Sequence, residues 1–235
     1  MPILQEMVEK KETPELKLRL ASGYRKWAET LLGLDQLNEA RAKALSAIDI
    51  IGESRPVEIL SRFRHLDGGR LEHFWLVASR LFLGEEKGAN LESIRGERSL
   101  AAFVLALIEL LALDPKSARA YAFDSFLYSN HSRDVLERSK LLAVNGLVAG
   151  WLGKTNEAQI FFERAGQAHT DETKANSLIF CSMFEAENLL MQGNVEESRK
   201  KIKDTMEVAL VYADDRQIES LLSLSADVIC FYSNC

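Results

Sequence analysis

An all-α fold of stacked helix hairpins is what the sequence predicts. Apolar residues recur at three- and four-residue spacing almost from end to end, and no run shows the strict alternation of a half-buried strand. The four prolines, Pro2, Pro14, Pro56 and Pro115, leave uninterrupted stretches long enough for helices of fifteen or more residues. With 47% apolar residues over 235 positions, the chain can bury a continuous core, as one large domain or as an array of stacked units.

The helices are separated by short turn signals at Gly33-Leu34-Asp35, Asp67-Gly68-Gly69, Leu113-Asp114-Pro115, Gly153-Lys154-Thr155 and Gly193-Asn194. Each joins a glycine or proline to a residue able to cap the next helix. Between the equivalent turn residues Asp35, Gly69, Leu113, Gly153 and Gly193 the spacings are 34, 44, 40 and 40, a period typical of helical-hairpin repeats. The expected hairpins are 14–52, 54–84, 97–130, 133–168 and 173–212, followed by one unpaired helix at 215–233. The only long polar interruption, Gly84 to Asn90, is expected to be a surface loop. It divides an N-terminal part, 1–84, from a C-terminal array, 97–235, the two read as parts of one continuous solenoid.

Small residues fall where paired helices must cross. In LLAVNGLVAGWLGKTNEAQIFFERAGQAHTDE they are Gly146, Ala149, Ala158 and Ala165, with Phe162 filling toward the next unit. SMFEAENLLMQGNVEESRKKIKDTM repeats the pattern with Ala186 and Leu189 before Gly193 and Ser198, Ile202 and Thr205 after it. KWAETLLGLDQLNEARAKALSA carries Trp27, Ala28 and Leu31, then Ala40, Ala44 and Ala47. The third hairpin keeps Ala106, Ala118 and Ala122, and the second keeps Ala78 beside its Gly68-Gly69 turn.

These units resemble tetratricopeptide repeats over most of the chain. They depart from the family in being longer than its usual unit and in the displaced tryptophans of the first and fourth hairpins. The resemblance implies a right-handed superhelix whose concave face is lined by the first helix of each hairpin and presented to peptides or partner segments. By that register the concave positions are Leu100, Phe103, Leu107 and Leu110, then Ala143, Leu147 and Trp151, then Phe180, Met183, Leu190 and Met191. A wall this apolar suits an amphipathic helix or a greasy ligand, and methionines adapt to varied shapes. Longer units could instead close the superhelix and make the same side chains core.

Several function classes lose support. The net charge of −6 is opposite to the footprint of a protein that grips phosphate backbones, so no nucleic acid is expected. The start, MPILQEMVEKKETPE, lacks the basic start and apolar run of a signal peptide, and no eighteen-residue apolar stretch follows. No membrane partner and a cytoplasmic location are therefore expected. His65, His73, His131 and His169 never approach the one-turn spacing of a zinc protease, and Cys181, Cys230 and Cys235 form no metal motif. Cys181 and Cys230 read as small packed hydrophobes. No phosphate-cradling glycine motif or nucleophile elbow is present, so no catalytic residue, metal or cofactor is assigned. The run Ser198 to Lys203 is the one basic cluster, and it reads as a solvated face paired with Glu196 and Glu197.

The functional expectation is a non-enzymatic protein-interaction module or scaffold that takes another protein or a peptide in its apolar groove. A regulatory sensor for a peptide or small apolar ligand is the alternative, as is a piece of a larger regulator. In the terminal helix, Ile218, Leu221, Leu222, Leu224, Val228, Ile229, Phe231 and Tyr232 cover about half the circumference, wider than the ~100° stripe that packing on one hairpin needs. Leu221, Leu224, Val228 and Phe231 are therefore expected to mediate self-association as a homodimer, or to meet a partner.

Overall fold

The computed structural model describes residues 13–52, 89–129, 135–167 and 174–212. Among them are eight α-helices and no strand: α1 Pro14–Gly33, α2 Leu37–Ile51, α3 Ala89–Leu111, α4 Pro115–Ser129, α5 Val135–Trp151, α6 Thr155–Gln167, α7 Lys174–Met191 and α8 Val195–Tyr212. The hairpin at 54–84, the helix at 215–233 with Leu221, Leu224, Val228 and Phe231, the four histidines, Cys230 and Cys235 lie outside the described residues. Helix α3 starts at Ala89, eight residues before the expected 97, so the polar run ending at Asn90 is not loop throughout.

Four helix pairs, α1–α2, α3–α4, α5–α6 and α7–α8, pack side by side, each joined by a turn of three residues. The turns share one construction. Asp35, Leu113, Gly153 and Gly193 each take a left-handed backbone, with φ of 58°, 59°, 71° and 78°. The next residue's N–H donates back to the carbonyl five residues earlier, Gln36 to Leu31 at 2.9 Å, Asp114 to Glu109 at 2.8 Å, Lys154 to Ala149 at 2.9 Å and Asn194 to Leu189 at 2.9 Å. This is the Schellman closure, which satisfies the last carbonyls of one helix as the chain reverses into the next.

Counting from each left-handed residue, the position seven before it is Ala28, Ala106, Gly146 or Ala186, and the position five after it is Ala40, Ala118, Ala158 or Ser198. All eight are buried. Helices that cross at about 8–10 Å leave no room there for anything larger. Ser198 also hydrogen-bonds across its hairpin, its hydroxyl donating to the Ala186 carbonyl at 2.7 Å. At Gly146 the fit is tightest, because a Cβ would lie 3.0–3.1 Å from the ring of Phe162.

Helix starts are capped locally. Thr13 accepts from the Leu16 N–H through its hydroxyl at 3.4 Å, with Pro14 as the first helical residue. Asp114 accepts from the Ser117 N–H at 3.1 Å and from its hydroxyl at 2.6 Å, with Pro115 in the same role.

The chain divides into two compact units, Met1–Arg133 and Asp134–Cys235. In the first, α3 packs on both α1 and α2, around a core that includes Ala28, Leu31, Ala44, Ile48, Leu105 and Ile108. In the second, α5 and α7 pack on one another as well as on their own partners. Its α7–α8 hairpin holds two small cores, Ala186 with Ile202 and Ile179 with Ala209, bridged by Met183. No described helix is long and apolar enough to cross a membrane.

Candidate functional site

Leu100, Phe103 and Leu107 recur at helical spacing along one face of α3 and are half-buried, which leaves that face partly open. Phe103 packs at the edge of the first unit's core. Leu110, on the same helix, is only 5% exposed and belongs to the interior. The remaining candidates fall in the second unit. On α5, Ala143 and Leu147 are buried and Trp151, at the helix end, is half-buried. On α7, Phe180 lies tilted against Phe184 with ring centroids 4.5 Å apart, and the Lys140 ammonium sits 5.6 Å from the centre of the Phe180 ring. Met183 and Leu190 are half-buried and pack into the small cores of the α7–α8 hairpin, while Met191 is 41% exposed.

Between α5 and α7 the structure also shows a contact that sequence reasoning left out. Asn188, on α7, is only 5% exposed, and its Oδ1 lies against Gly150 of α5, where an added Cβ would stand 1.7 Å away. That oxygen has no hydrogen-bond partner, and neither has Trp151 Nε1 or Gln192 Nε2. Asn188 lies in the last turn of α7, Gln192 follows that helix in the turn, and Trp151 is the last residue of α5. Asn145 behaves differently, since its Nδ2 donates to the Leu141 carbonyl of its own helix at 2.8 Å. The sequence held one signal for Asn188 and Gln192: they are uncharged polar residues at four-residue spacing inside the otherwise apolar run around Leu189, Leu190 and Met191.

The first unit instead buries charge. Arg25 of α1 donates to Glu97 of α3 and, at 2.5 Å, to Glu29 one turn along its own helix. Burial works against the Arg25 charge, but the hydrogen bond and charge of Glu97, assisted by Glu29, outweigh it and hold the guanidinium above its usual value. Arg41 of α2 reaches Glu109 of α3 at 2.6 Å, and Arg98 of α3, fully buried, lies 3.5 Å from Asp124 of α4. Ser99 ties the same two helices together by donating to the Ser125 carbonyl at 2.8 Å. Apart from Arg25–Glu29, which lies within α1, these bonds join α3 to α1, α2 and α4, so the network reads as a clamp on α3.

Cys181 is buried beside Ser139, and burial pushes its thiol up to about 11, which leaves the thiolate scarce at neutral pH. Among the described residues no group of three or more His, Cys, Asp or Glu side chains is placed to hold a metal ion. A small apolar cavity of about 200 Å³ lies among Pro14, Lys17, Leu18, Ile51 and Ile94, below the ~300–1,000 Å³ of ordinary ligand pockets. On the basic run, Arg199, Lys200 and Lys203 are exposed and Lys201 pairs with Glu185 of α7 at 2.5 Å. No family model matches the chain, and no curated protein or solved structure matches it.

Proposed function

We propose that the chain is a protein-interaction module of tetratricopeptide-like hairpins that binds a partner segment on its first-helix faces. The observation that carries this reading is the fourfold recurrence of one turn with one set of small residues around it, at Asp35, Leu113, Gly153 and Gly193. Repeats of this kind bury their helix crossings with alanine and glycine and leave the outward face of each first helix to vary, and that face is the usual binding surface of stacked hairpins. The half-buried apolar residues Leu100, Phe103 and Leu107 on α3, and in the second unit the half-buried Trp151 and Phe180 with the exposed Met191, suit an apolar partner segment.

Selection of a displayed random dodecapeptide library on the full chain tests the reading. Peptides that bind with micromolar affinity and lose at least tenfold on Met191→Asp, with melting unchanged, are the expected result. Met191 is the variant of choice because its exposure makes a charge there cheap for folding. No enriched peptide, or enriched peptides indifferent to Met191→Asp and to Leu107→Asp, would sink the reading.

A further inference from the structure

The start of α1, the end of α2 and the start of α3 leave a gap between them. Pro14, Lys17 and Leu18 from α1, Ile51 from α2 and Ile94 from α3 line this apolar cavity of about 200 Å³, which opens to solvent. Pro14 is exposed and the other four residues are half-buried, so the walls can be reached from outside. Side chains around such a gap lack contact atoms on one side and forfeit the attraction those atoms supply. Water recovers little of it, because a bound water needs about two to four polar partners and Lys17 is the only polar side chain of the five. A hydrocarbon group that fills the gap restores the contacts. The volume sets its size: a dry cavity of about 150 Å³ admits benzene, with six carbons, so about 200 Å³ suits a hydrocarbon of about eight. Charge sets its polar end, since Lys17 brings one positive charge to the lining and no acidic residue lines it.

We propose that this cavity binds a medium-chain carboxylate of about eight carbons, its tail among Leu18, Ile51 and Ile94 and its carboxylate paired with the Lys17 ammonium. A tail in that position touches three helices at once, so binding ties α1 and α2 to α3. The ion pairs Arg25–Glu97 and Arg41–Glu109 already join the same helices, and the ligand adds apolar contact at their open end. The site lies in the first unit and stands independently of the interaction-module reading, which concerns other residues of α3 and the second unit.

The test is calorimetric titration of the full chain with straight-chain carboxylates from butanoate to dodecanoate. Affinity should rise about fourfold with each added methylene until the tail fills the cavity, near octanoate, and then level off. Octanol and octylamine are the comparisons for charge, and octanoate should bind at least threefold tighter than the alcohol and at least tenfold tighter than the amine. Lys17→Met keeps the apolar stem and removes the ammonium, so it should erase the preference for octanoate over octanol and leave octanol binding unchanged. Ile94→Phe puts a larger side chain into the gap and should weaken octanoate at least tenfold without lowering the melting temperature. If that variant fails to fold, Leu18→Ala removes three carbons from a half-buried wall position and should move the break to a chain of about eleven carbons. No saturable binding at millimolar octanoate overturns the proposal. So does affinity that keeps rising through dodecanoate, which marks partition onto apolar surface rather than a cavity of fixed size. Octylamine that binds as tightly as octanoate, or octanoate binding indifferent to both Ile94→Phe and Leu18→Ala, overturns it as well.

Discussion

In the first unit the left-handed turn positions are Asp35 and Leu113 and the helices are tied by Arg25–Glu97, Arg41–Glu109 and Arg98–Asp124; in the second the turns are Gly153 and Gly193, and α5 meets α7 through Gly150 and the carboxamide of Asn188. The backbone closure is the same in both. What the contrast teaches is that a hairpin of this type is specified by a few positions around its turn, while the contacts between hairpins can be ionic or neutral. Ion pairs that span many residues, as Arg25 and Glu97 do, select which helices face each other. A neutral contact selects less strongly.

The largest expected effect breaks the ionic side of that contrast. Arg25→Met leaves the Glu97 carboxylate, buried to 8% exposure, without its cation, and should destabilise by about 3–5 kcal/mol in urea unfolding. Arg25→Met combined with Glu97→Leu should recover most of that loss, because a buried pair replaced by apolar groups of similar size is close to neutral. If the single and double variants unfold alike, the pair does not clamp α1 to α3.

The second effect probes the neutral side. At Gly146 an alanine methyl would meet the Phe162 ring at 3.0–3.1 Å, whereas in the first unit Ala28 holds the matching position and Ala44 the position equivalent to Phe162. Gly146→Ala should cost about 1–3 kcal/mol through overpacking. In a Phe162→Leu background the same change should cost clearly less, and a double-mutant cycle reads the difference. Strict additivity would mean that the two residues do not share the crossing.

Much of this architecture was legible in the sequence, and for a physical reason. Turn residues and crossing residues are constrained by the backbone itself, so Asp35, Leu113, Gly153 and Gly193, and the alanines around them, stand out at fixed offsets even without an alignment. The ion pairs did not stand out, because Arg25 and Glu97 lie 72 residues apart and a charged residue on a helix reads as solvent-facing until its partner is placed. The start of α3 was placed at 97 because the polar run from Gly84 to Asn90 reads as loop, whereas the helix begins at Ala89. Asn188 was passed over because the repeat register favours the apolar residues beside it. Of the expected groove, Leu110 and Leu147 turn inward, since a helix packed on two neighbours buries more than one stripe.

A third, smaller effect concerns the cap of α4, which the second unit's α6, opening on Lys154-Thr155, does not share. The Ser117 hydroxyl and N–H hold the Asp114 carboxyl below its ordinary value of 3.8. A carboxyl lowered in this way contributes stability above its unfolded value and loses it as the pH falls through the folded one. Asp114→Ala should therefore cost about 1 kcal/mol at neutral pH. The gap between parent and variant should narrow as the pH falls below about 4, and a gap that is constant with pH would assign the effect to something other than the ionised cap.

The smallest effect sharpens the turn comparison. Leu113 holds φ of +59° with a side chain that is 71% exposed, so the leucine gains little from burial while its Cβ opposes the left-handed backbone. That conformation costs an ordinary residue about 1–2 kcal/mol, and glycine gives back about 0.5–1 kcal/mol through the freedom it adds to the unfolded chain. Leu113→Gly should therefore stabilise by a few tenths to about 1 kcal/mol. Asp35→Gly should be nearer neutral, because aspartate tolerates this backbone better than leucine does. In the second unit the direction reverses: nothing lies within 4 Å of a Cβ added at Gly193, so Gly193→Ala meets backbone strain alone and should lose about 1 kcal/mol. Thermal unfolding of the three variants beside the parent reads all three signs. If Leu113→Gly lowers the melting temperature, the leucine has a partner that offsets its strain, and the first unit's turn is then held by a contact that the second unit's turns do without.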